Sequence, residues 1–525
     1  MKSQYDVIII GSGIGGLTTG SYLSRNGYKV RIFEKLHQPG GYVNTFKRKD
    51  YTFEGSTHIL HEFEDFNFNF DVLKRLGLEN LELLHINDCF DIFIHDHNKI
   101  IKNYKIDSGK EDGFKCFVNQ FSSDIKNIKI IFEKCYHIAK DCFKIVKLES
   151  SPYKINFIDL ISALFLLIKD KNSLLRKIGE FHYKYLNEYI NKSFSDLTRF
   201  IDNQDLKFLL DILGYMCTNV KPSKLSAITG AAIFYQFVLR KPTWVKGGTK
   251  SMVEALANNI INNNGEIIYK SQVTQIIIEK GKSIGVILAN GEKYYAKYIV
   301  SNLNGYETYK NLIDCDTHTE ELTTKLSNYK SSLSAFIVYL GLPFDLQDFG
   351  FDRSTNVFSN CNNLDTVKQE IYKSEDSYRE DTFIITNYTL MDESFSKKGK
   401  SSIALATAET FENWNKLTKK EYNKQKILIQ SQFIQNVQKI TRIPLDKAEV
   451  SFSATPKTLK FYSSNPFGGV IGADHNVEQT GLGRFNHKTH IKNLFHAGHD
   501  TKTGGGINAV INSGLIAASH ILRKG

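Results

Sequence analysis

Tyr5-Asp-Val-Ile-Ile-Ile-Gly11-Ser-Gly13-Ile-Gly15-Gly16 runs a short apolar strand directly into G-x-G-x-x-G. An uninterrupted apolar run such as Val7 to Ile10 suits a parallel strand buried on both faces. Gly11 then allows a tight turn, Gly13 lets the backbone approach a pyrophosphate, and Gly16 lets the next helix pack close to the strand. The helix read over Ile14 to Arg25 aims its free amides and positive dipole end at that phosphate. A second strand, Lys29 to Phe33, ends at Glu34, where an acid accepts ribose hydroxyls. A lone glycine fingerprint is weak evidence. The order strand, glycines, helix, strand and acid points to a dinucleotide-binding α/β unit.

A second glycine-rich segment closes the chain: Asn493-Leu-Phe-His-Ala-Gly498-His499-Asp500, then Gly504-Gly505-Gly506-Ile507-Asn508 and a helical run to Gly514. It reads as a strand, a loop and a helix start that complete the same site from the other end. Between the two lies Pro39-Gly40-Gly41, a loop whose amides can approach a phosphate or a flavin ring. Tyr51-Thr-Phe-Glu-Gly-Ser-Thr-His58 looks like a strand entering a turn. Residues from about Gly113 to Phe200 read as mostly helical. Trp244-Val-Lys-Gly247-Gly248 breaks that pattern and precedes a helix, Ser251 to Ile261.

Strand-like runs follow at Glu266 to Tyr269, Val273 to Ile278 and Ser283 to Leu288, with Asn290-Gly291 as a hairpin turn. Tyr298 to Asn302 reads as a buried strand returning to the nucleotide unit. Further strands are expected at Ala335 to Leu340, Phe383 to Leu390 and Ser402 to Thr407, with a polar helix over Thr418 to Gln438. The expected architecture is a Rossmann-like α/β domain built from residues 1–70, 245–305 and 450–525. An α+β substrate domain, residues 71–244 and 306–449, is inserted into it.

At 525 residues, 41% hydrophobic and 23% charged, the chain has the composition of an ordinary globular protein. Its net charge of +11 comes from lysines scattered among acids, with no basic block of the nucleic-acid kind. Seven cysteines include no C-x-x-C and no metal-like cluster, which suits reduced thiols in the cytoplasm. No apolar run reaches eighteen residues. Phe157 to Ile168 is too short to span a bilayer, and Lys169, Lys171, Arg176 and Lys177 follow it. It reads either as a core helix or as an interfacial helix that lets a cytoplasmic protein sit on a membrane surface.

These pieces together resemble the phytoene desaturase, carotenoid isomerase and retinol saturase superfamily, within the glutathione-reductase and amine-oxidase type of flavoprotein. The matching residues are the N-terminal fingerprint with Glu34 and Gly40-Gly41, the Tyr51 to His58 segment and Trp244 to Gly248. The later matches are Val273 to Ile276, Gly285-Val286, Ile299 to Asn302, Thr455-Pro456 and the glycine-rich end. The resemblance implies FAD as cofactor. Its candidate contacts are Gly11, Gly13, Gly15, Gly16, Glu34, Lys35, Gly40, Gly41, Val273, Gly498, His499, Asp500, Gly505, Gly506, Ile507 and Asn508. No metal is implied. Relatives often carry an acid directly after Ala-Gly, where this chain has His499 with Asp500 one later. Ser56 and Thr503 also depart from a usual glycine and proline.

The implied activity is FAD-dependent oxidation, reduction or flavin-assisted cis–trans isomerisation of a long, apolar, conjugated isoprenoid. His58, which the resemblance puts near the flavin, is the one catalytic candidate, as a proton donor or substrate-orienting group, with a histidine that merely packs the turn as the alternative. Tyr215, Met216 and Trp244 are candidates for a substrate channel, although aromatics and Met at such positions are more often core. A single fingerprint leaves no second fold for a nicotinamide cofactor, so an external electron donor or acceptor is expected, and no nucleic acid. The alternatives are an amine or porphyrinogen oxidase on the same fold, and a non-catalytic flavin-binding protein.

Overall fold

The strand Tyr5–Ile10 lies in the middle of a parallel sheet, because its residues alternate between two cores. Val7 and Ile9 pack with Leu17, Leu256 and Leu515 from the helices on one face. Ile8 and Ile10 pack with Val286, Ile299 and Leu312 on the other. A strand buried on both sides needs apolar residues at every position, which explains its unbroken run. The computed structural model describes residues 5–55, 60–61, 69–86, 88–96, 99–152, 183–360, 363–366 and 382–524. His58 and the Phe157–Ile168 stretch lie outside the described residues.

Across the sheet the parallel order is Glu266–Ile268, Val30–Phe33, Tyr5–Ile10, Lys293–Ser301 and Leu494–His496. The Lys293–Ser301 strand serves twice. Its first residues pair antiparallel with Lys282–Leu288, which pairs with Val273–Glu279, while Ala296 to Ser301 pair with the first strand. Three helices cover one face: Ile14–Arg25, Thr249–Asn262 and Ile507–Leu522. The first and last of these touch through small residues. Thr19 Oγ1 donates to the carbonyl of Gly514 at 3.0 Å, and a Cβ on Gly514 would come within 2.8 Å of Thr18 Cβ.

A second seven-stranded sheet has the order Val450–Ala454, Ser334–Leu342, Ser401–Glu409, Thr382–Asn387, Thr355–Ser359, Asp88–Asp96 and Lys99–Asp107. One face packs Phe336, Phe383 and Leu405 against Ile429, Phe433 and Val437 of the helix Lys419–Thr441. That helix opens with a capping box, Thr418 and Glu421, which explains its sharp start. The opposite face looks toward a helical layer that includes Lys110–Gln120, Ile125–Ser150, Gln204–Thr218 and Ala227–Phe234.

Two sequence expectations shift here. Val450–Ala454, read with the nucleotide pieces, is the edge strand of the second sheet, because its backbone pairs with Ile337 to Gly341. The strand expected over Phe383 to Leu390 stops at Asn387, whose Oδ1 accepts the Thr389 amide at 3.2 Å and starts a helical turn.

Candidate functional site: a dinucleotide cradle opening into an apolar arm

The two glycine-rich segments meet at one place, over a cavity of about 1150 Å³. The helices Ile14–Arg25 and Ile507–Leu522 both begin there. Gly13 and Gly506 are their first flanking residues, neither start has a side-chain cap, and neither first turn carries an acid. Uncapped amides at a helix start are free donors at the positive dipole end, so two converging starts make a pocket for an anion. Gly506 holds φ +95°, which side chains rarely adopt, and a Cβ there would meet nothing within 4 Å. Its bare backbone therefore faces the open cavity.

Other glycines are small for packing. A Cβ on Gly15 would meet Asn302 Oδ1 at 2.6 Å and the Gly498 amide at 3.2 Å. One on Gly16 would collide with the Gly11 carbonyl, the close helix–strand approach that the fingerprint requires. Gly40 donates its amide to the Ser12 carbonyl at 2.9 Å, which fixes the second glycine loop beside the first. Gly498 donates to Ser513 Oγ at 2.9 Å, and Thr501 Oγ1 lies 2.8 Å from the same oxygen. The C-terminal loop is thus tied to the helix it precedes.

Glu34 is buried at the end of its strand and lines the cavity. One carboxylate oxygen accepts the Ser12 amide at 2.9 Å and its hydroxyl at 2.7 Å, and the other accepts the Leu36 amide at 2.9 Å. These bonds hold the carboxylate in place while leaving lone pairs for a ribose diol. Lys35 also lines the cavity, yet its Nζ donates to the Phe461 carbonyl at 2.7 Å. Gly11, Gly13, Gly40, Gly41, Val273, Gly498, His499, Gly505, Gly506, Ile507 and Asn508 line the same space. Gly15, Gly16 and Asp500 do not.

Asp500 sits behind the wall. Its carboxylate accepts the Gly305 amide at 2.9 Å, the Ala473 amide at 2.7 Å and the Tyr329 hydroxyl at 3.1 Å. It ties three segments together rather than facing the cavity. Asn302, Thr229, His475 and Arg484 are among the lining residues that the sequence reading did not place at the site. Asn302 ends the buried strand, a position the fingerprint logic could have flagged. Arg484 is buried and donates to the His499 carbonyl at 2.9 Å and the Ala473 carbonyl at 3.0 Å. Nothing local marks it.

The cavity continues past the Gly504–Gly506 loop into an apolar arm. The inner face of the second sheet supplies Ile337, Ile384 and Ala406, and the helical layer supplies Val146, Met216 and Ile233. Of the three channel candidates only Met216 faces this arm. Tyr215 packs into the helical core, and Trp244 is fully enclosed beside Tyr388 and Phe395. Cys142 and Cys217 also line the cavity, but burial pushes both thiols up to about 12, so neither is a thiolate nucleophile. Among the described residues no group of His, Cys, Asp or Glu could hold a metal ion.

Comparison with known proteins agrees with this geometry. The family described as flavin containing amine oxidoreductase matches residues 14–522. The chain belongs to that family. Within the flavin containing amine oxidoreductases, it is 24% identical to prolycopene isomerase 1, chloroplastic, of an Oncidium hybrid cultivar, over 99% of this chain and 84% of the relative. It is 23% identical to all-trans-retinol 13,14-reductase of Danio rerio, over 100% and 87%. An oxidoreductase of Methanosarcina mazei has the same fold, with a TM-score of 0.61 at 15% identity over 98% and 99%. The two converging helix starts and the Glu34 carboxylate fit the flavin that defines this oxidoreductase family.

Proposed function

We propose that the chain is an FAD-dependent oxidoreductase of a long, apolar, conjugated isoprenoid, a carotenoid or a retinoid. The reaction class is desaturation, saturation or flavin-assisted cis–trans isomerisation. The carrying observation is the continuity of the cavity, whose glycine-lined polar end opens into an arm lined by Val146, Met216, Ile233, Ile337 and Ile384. At about 1150 Å³ it lies just above the 300–1,000 Å³ of a typical ligand site. Two relatives of this chain are named for a polyene substrate, prolycopene and retinol.

The adenosine half of FAD is assigned to Glu34 and Val273, the pyrophosphate to the Gly11–Gly16 helix start with Gly40 and Gly498, and the flavin end to Gly505 to Asn508. Bound flavin supplies hydride or electron exchange at its ring. This chain's residues do the rest. The uncapped amides before Ile507 would favour negative charge on a flavin ring bound beside them, and the apolar arm would orient the polyene and exclude water.

The division into residues 1–70, 245–305 and 450–525 for the cofactor, with the remainder for the substrate, belongs to this reading. Val450–Ala454 moves to the substrate side. An external electron donor or acceptor belongs to the same reading. Among the described residues no helix is long and apolar enough to cross a membrane. The protein is proposed to be cytoplasmic and to meet a membrane peripherally through the Phe157–Ile168 stretch, so that an apolar substrate can pass from lipid to flavin.

The test is anaerobic incubation of the flavin-loaded protein with a panel of carotenoids and retinoids, followed by chromatography of isomers and desaturation states. Conversion of a polyene with no turnover of amines or porphyrinogens is expected. Amine turnover alone would replace this reading with the amine-oxidase one.

A further inference from the structure

The apolar arm has two walls that run the same way. Its floor is the inner face of the second sheet, where Ile337, Ala406 and Ile384 stand side by side on three neighbouring strands. The floor begins beside the glycine loop. A Cβ on Gly505 would lie 2.5 Å from the Ile471 carbonyl, and the Val470 amide donates to Leu333, just before the strand of Ile337. It ends at Thr355 and its pairing partner Phe90. Four strand spacings separate Ile337 from Phe90, about 19 Å.

The second wall is the helix Ala227–Phe234, which continues as a π-turn, Tyr235–Leu239. Ile228, Thr229, Ala232, Ile233, Gln236 and Phe237 recur at helical spacing and all line the cavity. Thr229 lies at the glycine end: its hydroxyl is 3.4 Å from Nδ1 of His475, whose ring packs beside Gly504. Gln236 stands seven residues on, roughly 10 Å further along the axis. There Phe237 meets Phe90 edge to face, with ring centroids 5.1 Å apart, so both walls finish at one place.

π-turns are rare and are frequently found at functional sites. This one is held by the Ser108 hydroxyl, which donates to the Phe237 carbonyl at 2.7 Å, and by the Gly109 amide, which donates to the Val238 carbonyl at 3.1 Å. Tyr235, Val238 and Leu239 pack into the helical core, which leaves Gln236 half-buried on the side of the arm. Its amide makes no hydrogen bond among the described residues. On the floor, by contrast, the Thr407 hydroxyl donates to the Thr382 carbonyl at 3.0 Å and the Thr382 hydroxyl lies 3.4 Å from Ser359 Oγ. A hydrocarbon filling this end would displace water from the Gln236 amide and give nothing back. A neutral amide both donates and accepts, so it suits a hydroxyl or a carbonyl oxygen.

We infer that Gln236 hydrogen-bonds an oxygen at the end of the substrate farthest from the flavin, and so selects an oxygenated polyene, an alcohol or aldehyde, over the pure hydrocarbon. The inference rests on the proposed isoprenoid site and narrows its substrate class.

Full-length, flavin-loaded protein is titrated with matched probes: all-trans-retinol against the same chain without its hydroxyl, and zeaxanthin against β-carotene. Binding is read from the absorbance shift of each polyene. In wild type, at least one alcohol is expected to bind roughly ten-fold more tightly than its hydrocarbon partner. Gln236→Leu, which keeps the bulk and removes the amide, is expected to bring that ratio close to one with flavin content unchanged. The wild-type comparison needs no variant to fold. Equal affinity within both pairs, a preference for hydrocarbon, or an undiminished ratio in folded Gln236→Leu would overturn the inference and leave the polyene reading in place. Binding of none of the four would remove that reading, and the inference with it.

Discussion

Glu54 and Thr249, 195 residues apart, are joined by two hydrogen bonds: one carboxylate oxygen accepts the Thr249 amide at 2.9 Å, the other its hydroxyl at 2.5 Å. Thr45 Oγ1 donates to the first oxygen at 2.7 Å. The acid of the Tyr51-Thr-Phe-Glu segment thus caps the helix that follows Gly247-Gly248. Gly248 must be a glycine for this, since a Cβ there would lie 2.5 Å from the carboxylate. The contact fastens the N-terminal piece to the middle piece.

Glu54→Ala removes three accepted bonds in a buried place, so a loss of about 2–4 kcal/mol is expected in urea unfolding of the protein. Glu54→Gln keeps an acceptor for the Thr249 amide and should cost less.

The same residue sets a pH dependence. Burial pushes the Glu54 carboxyl up to about 7 from an ordinary 4.5. The folded state therefore holds the proton more tightly than the unfolded one. Its contribution to stability is fully present below about pH 4.5 and is lost as pH rises through 7, to the extent of roughly 3 kcal/mol. Melting temperatures measured from pH 5 to 8 should fall less steeply for Glu54→Gln than for wild type. Parallel curves would show that Glu54 ionises normally.

Gly13→Val introduces a Cβ that would lie 2.7 Å from Asn302 Nδ2, at the start of the first helix. Flavin occupancy of the purified variant should drop to background in the visible spectrum. The cofactor released by heat from wild type should be FAD, identified by chromatography; FMN would contradict the roles given to Glu34 and Val273.

A chain ending near residue 480 lacks the Leu494–His496 strand and the Ile507–Leu522 helix, which packs on the first helix. It should express poorly or carry no flavin. Normal flavin content in that fragment would leave Gly498 and Gly505–Asn508 without a cofactor role.

The membrane proposal is tested by liposome flotation. Binding should need anionic lipid, weaken with salt and fall when Phe165 and Leu166 become Asp in a protein that still holds flavin. Unchanged flotation of that variant would return the stretch to the core-helix reading.

The glycine-lined end of the cavity was legible because its signals are local. An apolar strand, the three fingerprint glycines, an uncapped helix start and an acid at the next strand end all lie within 30 consecutive residues, and the physics of each acts over a few bonds. The C-terminal loop was legible for the same reason. The apolar arm was not. Tyr215 and Met216 are neighbours on a helix enclosed on most sides, so no polar face distinguishes the side that meets the cavity from the side that meets the core. The roles of Asn302, His475 and Arg484 depend on partners brought together from distant parts of the chain, as when Thr229 meets His475 across 246 residues. Asp500 follows Ala-Gly-His like a cofactor ligand, yet packing turns its carboxylate toward Gly305, Ala473 and Tyr329. Short-range patterns specify backbone shape, whereas the direction of a buried side chain is set by whichever distant segment satisfies its hydrogen bonds or fills its space.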